Sequence, residues 1–137
     1  IKVMDIIGNG VDIIENKRIK KSLKNKGFIK RVFTQNEINI SKKLNNKVNY
    51  FAKRFAAKEA FVKAIGEGFR NNINLNDIDI KNDKKGKPLI IISNNVKKIL
   101  KKKFKLNKYK ILLSLSDEKK YSIAYVIINK QKWSKNL

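Results

Sequence analysis

The chain has 137 residues, the length of one domain, and 42% of them are hydrophobic, which is enough for a core. It contains neither cysteine nor histidine, which excludes disulfides, thiolate metal sites, a cysteine nucleophile and the usual imidazole base. Any metal site must therefore be built from oxygen ligands, which favours Mg²⁺, Mn²⁺ or Ca²⁺.

The formal net charge is +23, from 34 basic and 11 acidic residues. Such a charge predicts an anionic partner: a nucleic acid, an acidic protein, a nucleotide or a membrane surface. A second interpretation is that much of it is a solvated surface, because lysine, asparagine and isoleucine, which A+T-rich codons favour, supply 69 of the 137 residues. No apolar run reaches membrane-spanning length and no signal peptide precedes the first segment, so we expect a soluble cytoplasmic protein.

The first predicted element is a buried strand over Met4–Ile14, with residues 1–3 as a possible extension. It is interrupted by Gly8, Asn9 and Gly10, and glycines within a strand indicate a bulge or a close backbone approach. Asp12 follows between apolar neighbours. Its carboxylate is either satisfied by local hydrogen bonds or kept for a cation, and the sequence leaves both interpretations open.

Three helices are predicted next. An amphipathic helix over Glu15–Lys26 is ended by Gly27, and a short connector follows. Thr34 and Glu37 have the spacing of a capping box, which opens a second helix to about Leu44. The third helix starts near Val48 and contains residues 51–66, which hold five of the six alanines, and the glycines at 66 and 68 stop it.

The second half predicts a hairpin, a helix and a second hairpin. The first hairpin joins Leu75–Ile80 to Leu89–Ile92 through a turn, and a helix with a basic outer face covers Ser93–Lys103. The strands of the second hairpin are Tyr109–Leu115 and Tyr121–Ile128, and the tail over residues 129–137 is expected to fray. The predicted fold is one α+β domain over residues 1–137, with a largely antiparallel sheet packed against helices.

Glu59 is the acidic residue that needs an explanation, because it lies among alanines and bases on the third helix. One interpretation is a surface ion pair with Lys63, four residues later, worth about 0.3–0.5 kcal/mol. The apolar neighbours favour a buried helix instead, in which a carboxylate needs a cation or several donors. Glu59 and Asp12 would then hold Mg²⁺ while the bases hold a phosphorylated substrate.

The motifs match a known family along the chain from Met4 to about Asn129. They comprise Gly8–Asn9–Gly10–Val11–Asp12–Ile13 with Arg18, then Phe33–Thr34–Gln35–Asn36–Glu37, Arg54–Phe55–Ala56–Ala57–Lys58–Glu59–Ala60, Gly86–Lys87–Pro88, and Leu113–Ser114–Leu115–Ser116–Asp117. With these motifs the chain resembles the holo-acyl-carrier-protein synthases, the small trimeric class of 4′-phosphopantetheinyl transferases. The resemblance covers the whole predicted domain.

The resemblance implies Mg²⁺-dependent transfer of 4′-phosphopantetheine from coenzyme A to a serine of apo acyl carrier protein, with release of adenosine 3′,5′-bisphosphate. It implies that Asp12 and Glu59 are the metal ligands and that Lys63 contacts the same phosphates, and Glu59 is our candidate for the general base. The expected coenzyme A contacts are at Arg54, Lys58, Lys63, Gly86, Lys87, Pro88 and Ser116. The acidic carrier protein would dock on Arg18, Lys21 and Lys24 of a homotrimer.

Asp117 departs from the family pattern, because many members have histidine at this position. We interpret it as a turn residue or an acceptor near the site. The alternative function is a basic nucleic-acid-binding module, which the charge favours but no recognisable motif supports. A structural trimer without coenzyme A binding is a third possibility. The transferase needs Asp12 and Glu59 to converge, whereas a nucleic-acid binder does not.

Overall fold

A computed structural model describes residues 2–66, 72–105 and 108–133. Its elements follow the predicted order, with one more helix than expected before the first hairpin. The strands are β1 (Lys2–Glu15), β2 (Ile78–Asn82), β3 (Pro88–Ile92), β4 (Tyr109–Asp117) and β5 (Tyr121–Trp133). The helices are α1 (Asn16–Ser22), α2 (Lys26–Val32), α3 (Gln35–Ser41), α4 (Lys47–Ile65) and α5 (Asn94–Phe104).

The α+β fold with antiparallel strands is confirmed, but the strands form two sheets. A three-stranded sheet has the order β1-β5-β4, and a separate two-stranded sheet pairs β2 with β3. In the large sheet Asp12 lies opposite Ala124 of the central strand β5. β1 is therefore an edge strand, and its glycine-rich segment lies along one margin of the sheet.

Helix α4 packs across one face of the large sheet, and the glycines of β1 allow it to come close. A side chain at Gly10 would overlap the carbonyl oxygen of Ala60 and approach the amide nitrogen of Ala64 to 2.8 Å. One at Gly8 would overlap the carbonyl oxygen of Ala64. The alanines and glycines predicted from the sequence therefore form one helix–strand contact, and that contact fixes the height of α4 above β1.

The opposite face of the same sheet is not covered by any described element of the chain. Side chains that point away from α4 alternate with buried ones along β1 and β5. The exposed apolar residues on these strands include Val11, Ile13, Ile123 and Tyr125. We call this set the open sheet face.

The helix predicted over Glu15–Lys26 is present but shorter, and a second helix begins at Lys26. α1 ends at Ser22, and the side chain of Asn25 accepts hydrogen bonds from the amides of Gly27 and Phe28 at 2.8 and 3.3 Å. Asn25 therefore caps a new helix. Gly27 lies in the first turn of α2 and is not a stop signal, and the predicted connector over residues 28–33 is mostly helical.

Two further boundaries differ from the prediction. The tail predicted to fray from Asn129 is strand as far as Trp133, because β5 continues to pair with the first residues of β1 down to Lys2. Residues 134–137 lie outside the described part, as does Gly68, the second predicted stop of α4. Leu75–Asp77, predicted as strand, is a short 3₁₀ turn before β2.

Candidate active site

Asp12 and Lys63 form an ion pair at the margin of the large sheet. The Lys63 Nζ lies 3.0 Å from Asp12 Oδ1 and donates to the Val11 carbonyl oxygen at 3.1 Å. The Lys63 side chain is 42% exposed, so its ammonium remains accessible while two protein oxygens hold it in place. Asn9, Gly10, Val11, Lys63 and Tyr125 line an open cleft of about 330 Å³ at this point.

Glu59 lies one helical turn before Lys63 and is largely buried, with 8% exposure. Gly8 lies against Ala64 and Gly10 lies against Ala60. Two residues along β1 therefore correspond to one turn of α4 in the opposite direction. Asp12, two residues beyond Gly10 on the same strand face, therefore lies beside the turn of α4 that carries Glu59. The two predicted carboxylates are on facing elements, with Lys63 next to both.

The donor set at this position suits a hard cation. Two carboxylates and the backbone oxygens of β1 are oxygen ligands, which Mg²⁺ prefers, and a site of one or two carboxylates is usual when a substrate phosphate completes the coordination. Within residues 2–66, 72–105 and 108–133 no group of three or more acidic side chains forms a ready metal cage. A cation would therefore depend on Asp12, Glu59 and oxygens from a ligand.

Lys58, predicted to contact coenzyme A, is instead part of the core. It is fully buried, and its Nζ donates to Glu37 Oε1 and to the Val32 carbonyl oxygen, both at 2.6 Å. Burial lowers the pKa of Lys58, while the Glu37 carboxylate opposes that effect. An ammonium that is shielded from solvent and already has two acceptors cannot reach a ligand, so we remove Lys58 from the proposed contacts.

Arg54 also lies inside the protein, but its hydrogen-bonding capacity is not used up. The guanidinium carbon stacks 3.8 Å from the centre of the Tyr50 ring. Arg54 Nε and Tyr50 Oη are both buried without a hydrogen-bond partner in the described structure. Burial lowers the pKa of Arg54 and raises that of Tyr50. The Tyr50 hydroxyl can itself accept from the guanidinium, but the buried Arg54 Nε–H still needs an acceptor, and an anionic oxygen is suitable.

The other predicted coenzyme A contacts lie on the β2–β3 hairpin and at the end of β4, and they do not line the cleft of Lys63. Gly86, at a φ of +86°, forms the tip of the β2–β3 hairpin, and Lys87 and Pro88 follow it into β3. Lys87 lines a cleft of about 240 Å³ with Tyr125 and residues of β4 and β5 on the open sheet face. Ser116 lines a different cleft of about 280 Å³ with Asp117 and Ile13.

The predicted carrier-protein surface is exposed as expected. Arg18 and Lys21 are solvent-exposed on α1, whereas Lys24 lies in the link between α1 and α2. Asp117 is a turn-end residue that contacts α4, since its Oδ2 accepts from Asn49 Nδ2 at 2.8 Å and its Oδ1 lies 3.5 Å from Lys53 Nζ. Asp117 therefore links the β4–β5 turn to the first half of α4.

Sequence reasoning missed two residues near the site. Tyr50 was not singled out, although it lies four residues before Arg54, the spacing at which helix side chains meet. Glu37 was predicted only as a capping residue. It does cap, accepting from the Thr34 amide at 2.9 Å, but its second role as the partner of Lys58 depends on a contact 21 residues away.

Comparisons with known proteins show the family to which the chain belongs. The profile of the 4′-phosphopantetheinyl transferase superfamily matches residues 8–126. A holo-[acyl-carrier-protein] synthase of Pelagibacter ubique is 59% identical over 128 residues, which cover 93% of this chain and 100% of the relative. No described helix has both the length and the apolar character needed to cross a membrane.

Solved structures of such synthases have the same fold. The Neisseria meningitidis holo-[acyl-carrier-protein] synthase has a TM-score of 0.81 at 36% identity and covers 90% of this chain and 98% of its own. The Bacillus anthracis synthase, in complex with CoA (3′,5′-ADP), has a TM-score of 0.76 at 36% identity and covers 93% and 99%. The chain therefore belongs to the 4′-phosphopantetheinyl transferase superfamily, among the holo-[acyl-carrier-protein] synthases.

Proposed function

We propose that this protein transfers the 4′-phosphopantetheine group of coenzyme A to a serine of apo acyl carrier protein and releases adenosine 3′,5′-bisphosphate. The observation that carries the proposal is the Lys63–Asp12 pair beside Glu59, at the mouth of a cleft. It combines a fixed, accessible ammonium with two carboxylates, which phosphoryl transfer requires and a nucleic-acid-binding module does not.

The reaction needs a base for the serine hydroxyl. Glu59 is the residue we assign to this role, because its largely buried carboxylate lies on α4 one helical turn before Lys63. The serine oxygen forms a bond to the phosphorus that carries the pantetheine arm, and its proton passes to the Glu59 carboxylate. The bond from that phosphorus to the bridging oxygen breaks, and the electron pair leaves with adenosine 3′,5′-bisphosphate.

Basic side chains of the protein are available to offset the negative charge of the coenzyme A phosphates. Lys63 is held against Asp12 and the Val11 carbonyl, so its ammonium is oriented before the substrate arrives. Arg54 offers an unused Nε beside the unused hydroxyl of Tyr50, and both fit a phosphate oxygen of coenzyme A. Mg²⁺ held by Asp12 and Glu59 would offset charge on the pyrophosphate when bound.

We propose that the active form is a homotrimer. The open sheet face supports this, because Val11 and Ile13 are 50% and 61% exposed on an edge strand of a sheet that otherwise packs well. An exposed apolar area of this kind favours association. Lys87 and Ser116 line clefts on the same face, so a neighbouring subunit could bring the hairpin tip and the end of β4 to a site on this chain.

We assign docking of the acidic carrier protein to Arg18, Lys21 and Lys24. These residues follow directly after β1, which carries Asp12, so a carrier bound there has a short path to the site. Attraction between opposite charges mainly accelerates encounter, and it is screened by salt. The apparent KM for carrier protein should therefore rise with ionic strength, while that for coenzyme A changes less.

The test is a change in mass of the carrier protein. Apo acyl carrier protein is incubated with coenzyme A, Mg²⁺ and the protein, and the expected result is addition of one phosphopantetheine group to the wild-type carrier but not to one whose acceptor serine is alanine. Glu59→Gln should reduce the rate by about 10²-fold or more, while Lys97→Met, an exposed change on α5, should not reduce it. No mass change with a carrier that another synthase modifies would refute the proposed function.

A further inference from the structure

Glu37 and Lys58 form a buried ion pair that connects four elements of the fold. Both side chains are fully inaccessible to solvent. Lys58 of α4 donates to Glu37 Oε1 of α3 and to the last residue of α2 through the Val32 carbonyl oxygen. The second carboxylate oxygen, Oε2, accepts from the amide of Ile80 in β2 at 2.8 Å.

The pair holds α4 on the side away from the large sheet. Lys58 and Ala60 are two residues apart, which is about 200° around the helix, so they point to nearly opposite sides. Ala60 is held against Gly10 of β1, and Lys58 is held against α2, α3 and β2. Glu59 lies between them in the sequence and on the helix circumference. Rotation or translation of α4 is therefore blocked from both sides of the residue that we assign as the base.

Stability alone does not explain the pair. Replacing a buried ion pair by apolar or neutral groups is often neutral or stabilising, whereas removing one partner is strongly destabilising. Burial lowers the pKa of Lys58, and the Glu37 carboxylate opposes that effect. The pair fixes the orientation of α4, since the ammonium has two acceptors, in α2 and α3, and the carboxylate accepts from α4, from β2 and from the Thr34 amide.

We propose that Glu37 and Lys58 are positioning residues for the transfer reaction, which set the orientation of Glu59 and Lys63 by locking α4 to α3 and β2. The inference rests on the proposed function. Neither residue reaches the ligand, so their effect must act through the placement of the next turn. A misplacement of about 1 Å at a reacting group can lower a rate by about 10²-fold, so a small shift of α4 is sufficient.

The test compares Lys58→Met, Glu37→Gln and the double variant E37Q/K58M. Each single variant leaves one charge buried and unpaired, so we expect Tm to fall by about 10 °C or more. The double variant removes both charges and should recover most of that stability. If the pair positions Glu59, kcat of the double variant stays at least tenfold below wild type, while KM for carrier protein, which docks on α1, changes less than about twofold.

Val96→Ala provides the matched control. Val96 is fully buried, and it lies on α5, which is not one of the four elements that the pair connects. It should lower Tm without lowering kcat per folded molecule. A stabilising osmolyte restores the folded fraction of a single variant that melts too early for assay. Recovery of full kcat together with stability, in the double variant or in osmolyte, would overturn the positioning role. An inactive wild type would instead refute the proposed function.

Discussion

Two lysine–carboxylate pairs lie on different sides of α4, and they differ in almost every property except composition. Lys58 and Glu37 are fully buried at 2.6 Å, in a network that joins three helices and a strand. Lys63 and Asp12 lie 3.0 Å apart at the sheet margin, with side chains 42% and 15% exposed. The buried pair has no room for a ligand, whereas the exposed pair faces a cleft.

Burial, and not residue type, therefore separates a lysine that is confined to the core from one that is accessible to a ligand. Removing one member of the buried pair leaves an unpaired charge in the core, so the main effect is a loss of folding stability. The exposed pair contributes little to folding, as ion pairs accessible to solvent contribute about 0–1 kcal/mol. Its charge is instead available to a substrate.

Lys63→Met is expected to change turnover more than any other substitution proposed below. It removes the accessible ammonium from the cleft, and we predict that turnover falls about 10²- to 10³-fold, as when a charge-stabilising donor is lost. Because the pair is exposed, Tm should move by only a few degrees. Steady-state kinetics and thermal unfolding of the same preparation check both parts. A large loss of Tm with normal turnover of the folded fraction would reverse the roles of the two pairs.

The next effect comes from the contact between α4 and β1. Gly10→Ala places a methyl group into the Ala60 carbonyl, so α4 must move, and we expect destabilisation by about 3 kcal/mol together with lost turnover. Gly86→Ala is the control for backbone strain. Its φ of +86° costs about 1–2 kcal/mol, but no atom lies within 4 Å of the added methyl. Equal denaturant midpoints for the two variants would contradict the close contact.

The smallest effect is expected at Tyr50. Removing its unpartnered buried hydroxyl by Tyr50→Phe should stabilise the unliganded protein by about 1 kcal/mol and weaken coenzyme A binding. Burial raises the pKa of Tyr50 above its ordinary value of 10.0. The unfolded chain therefore loses this proton first, so above pH 10.0 the wild type should lose stability faster than Tyr50→Phe. Parallel curves of unfolding free energy against pH would exclude the effect.

The sequence predicted the parts of the fold whose signals are local. The capping box of Thr34 and Glu37, the alanine-rich α4 and the turn before Pro88 are all present. The break between α1 and α2 was missed because Gly27 by itself indicates the end of a helix, whereas Asn25, two residues before it, caps the start of a new one. The extension of β5 was missed because its polar residues are held by pairing with the distant start of β1 and with the start of β4.

The sequence predicted which residue types form the candidate site, but not which of their side chains are accessible to solvent. Asp12 and Lys63 meet because glycines in β1 and alanines in α4 bring the two elements together, and both signals are visible in the sequence. Lys58 and Lys63 both lie among alanines and apolar residues of α4, so the sequence does not separate their roles. Only the contact with Glu37, 21 residues away, shows that one of them is inside the protein.

The most direct test of the site is a crystal structure with coenzyme A and Mn²⁺, whose anomalous scattering identifies the ion. We predict one peak coordinated by Asp12 and Glu59 and by a pyrophosphate oxygen, with Lys63 on the same phosphates and Lys58 still bound to Glu37. An ion held elsewhere, or coenzyme A bound without contact to Lys63, would contradict the site. A phosphate bonded to Lys58 would contradict the distinction between the two lysines.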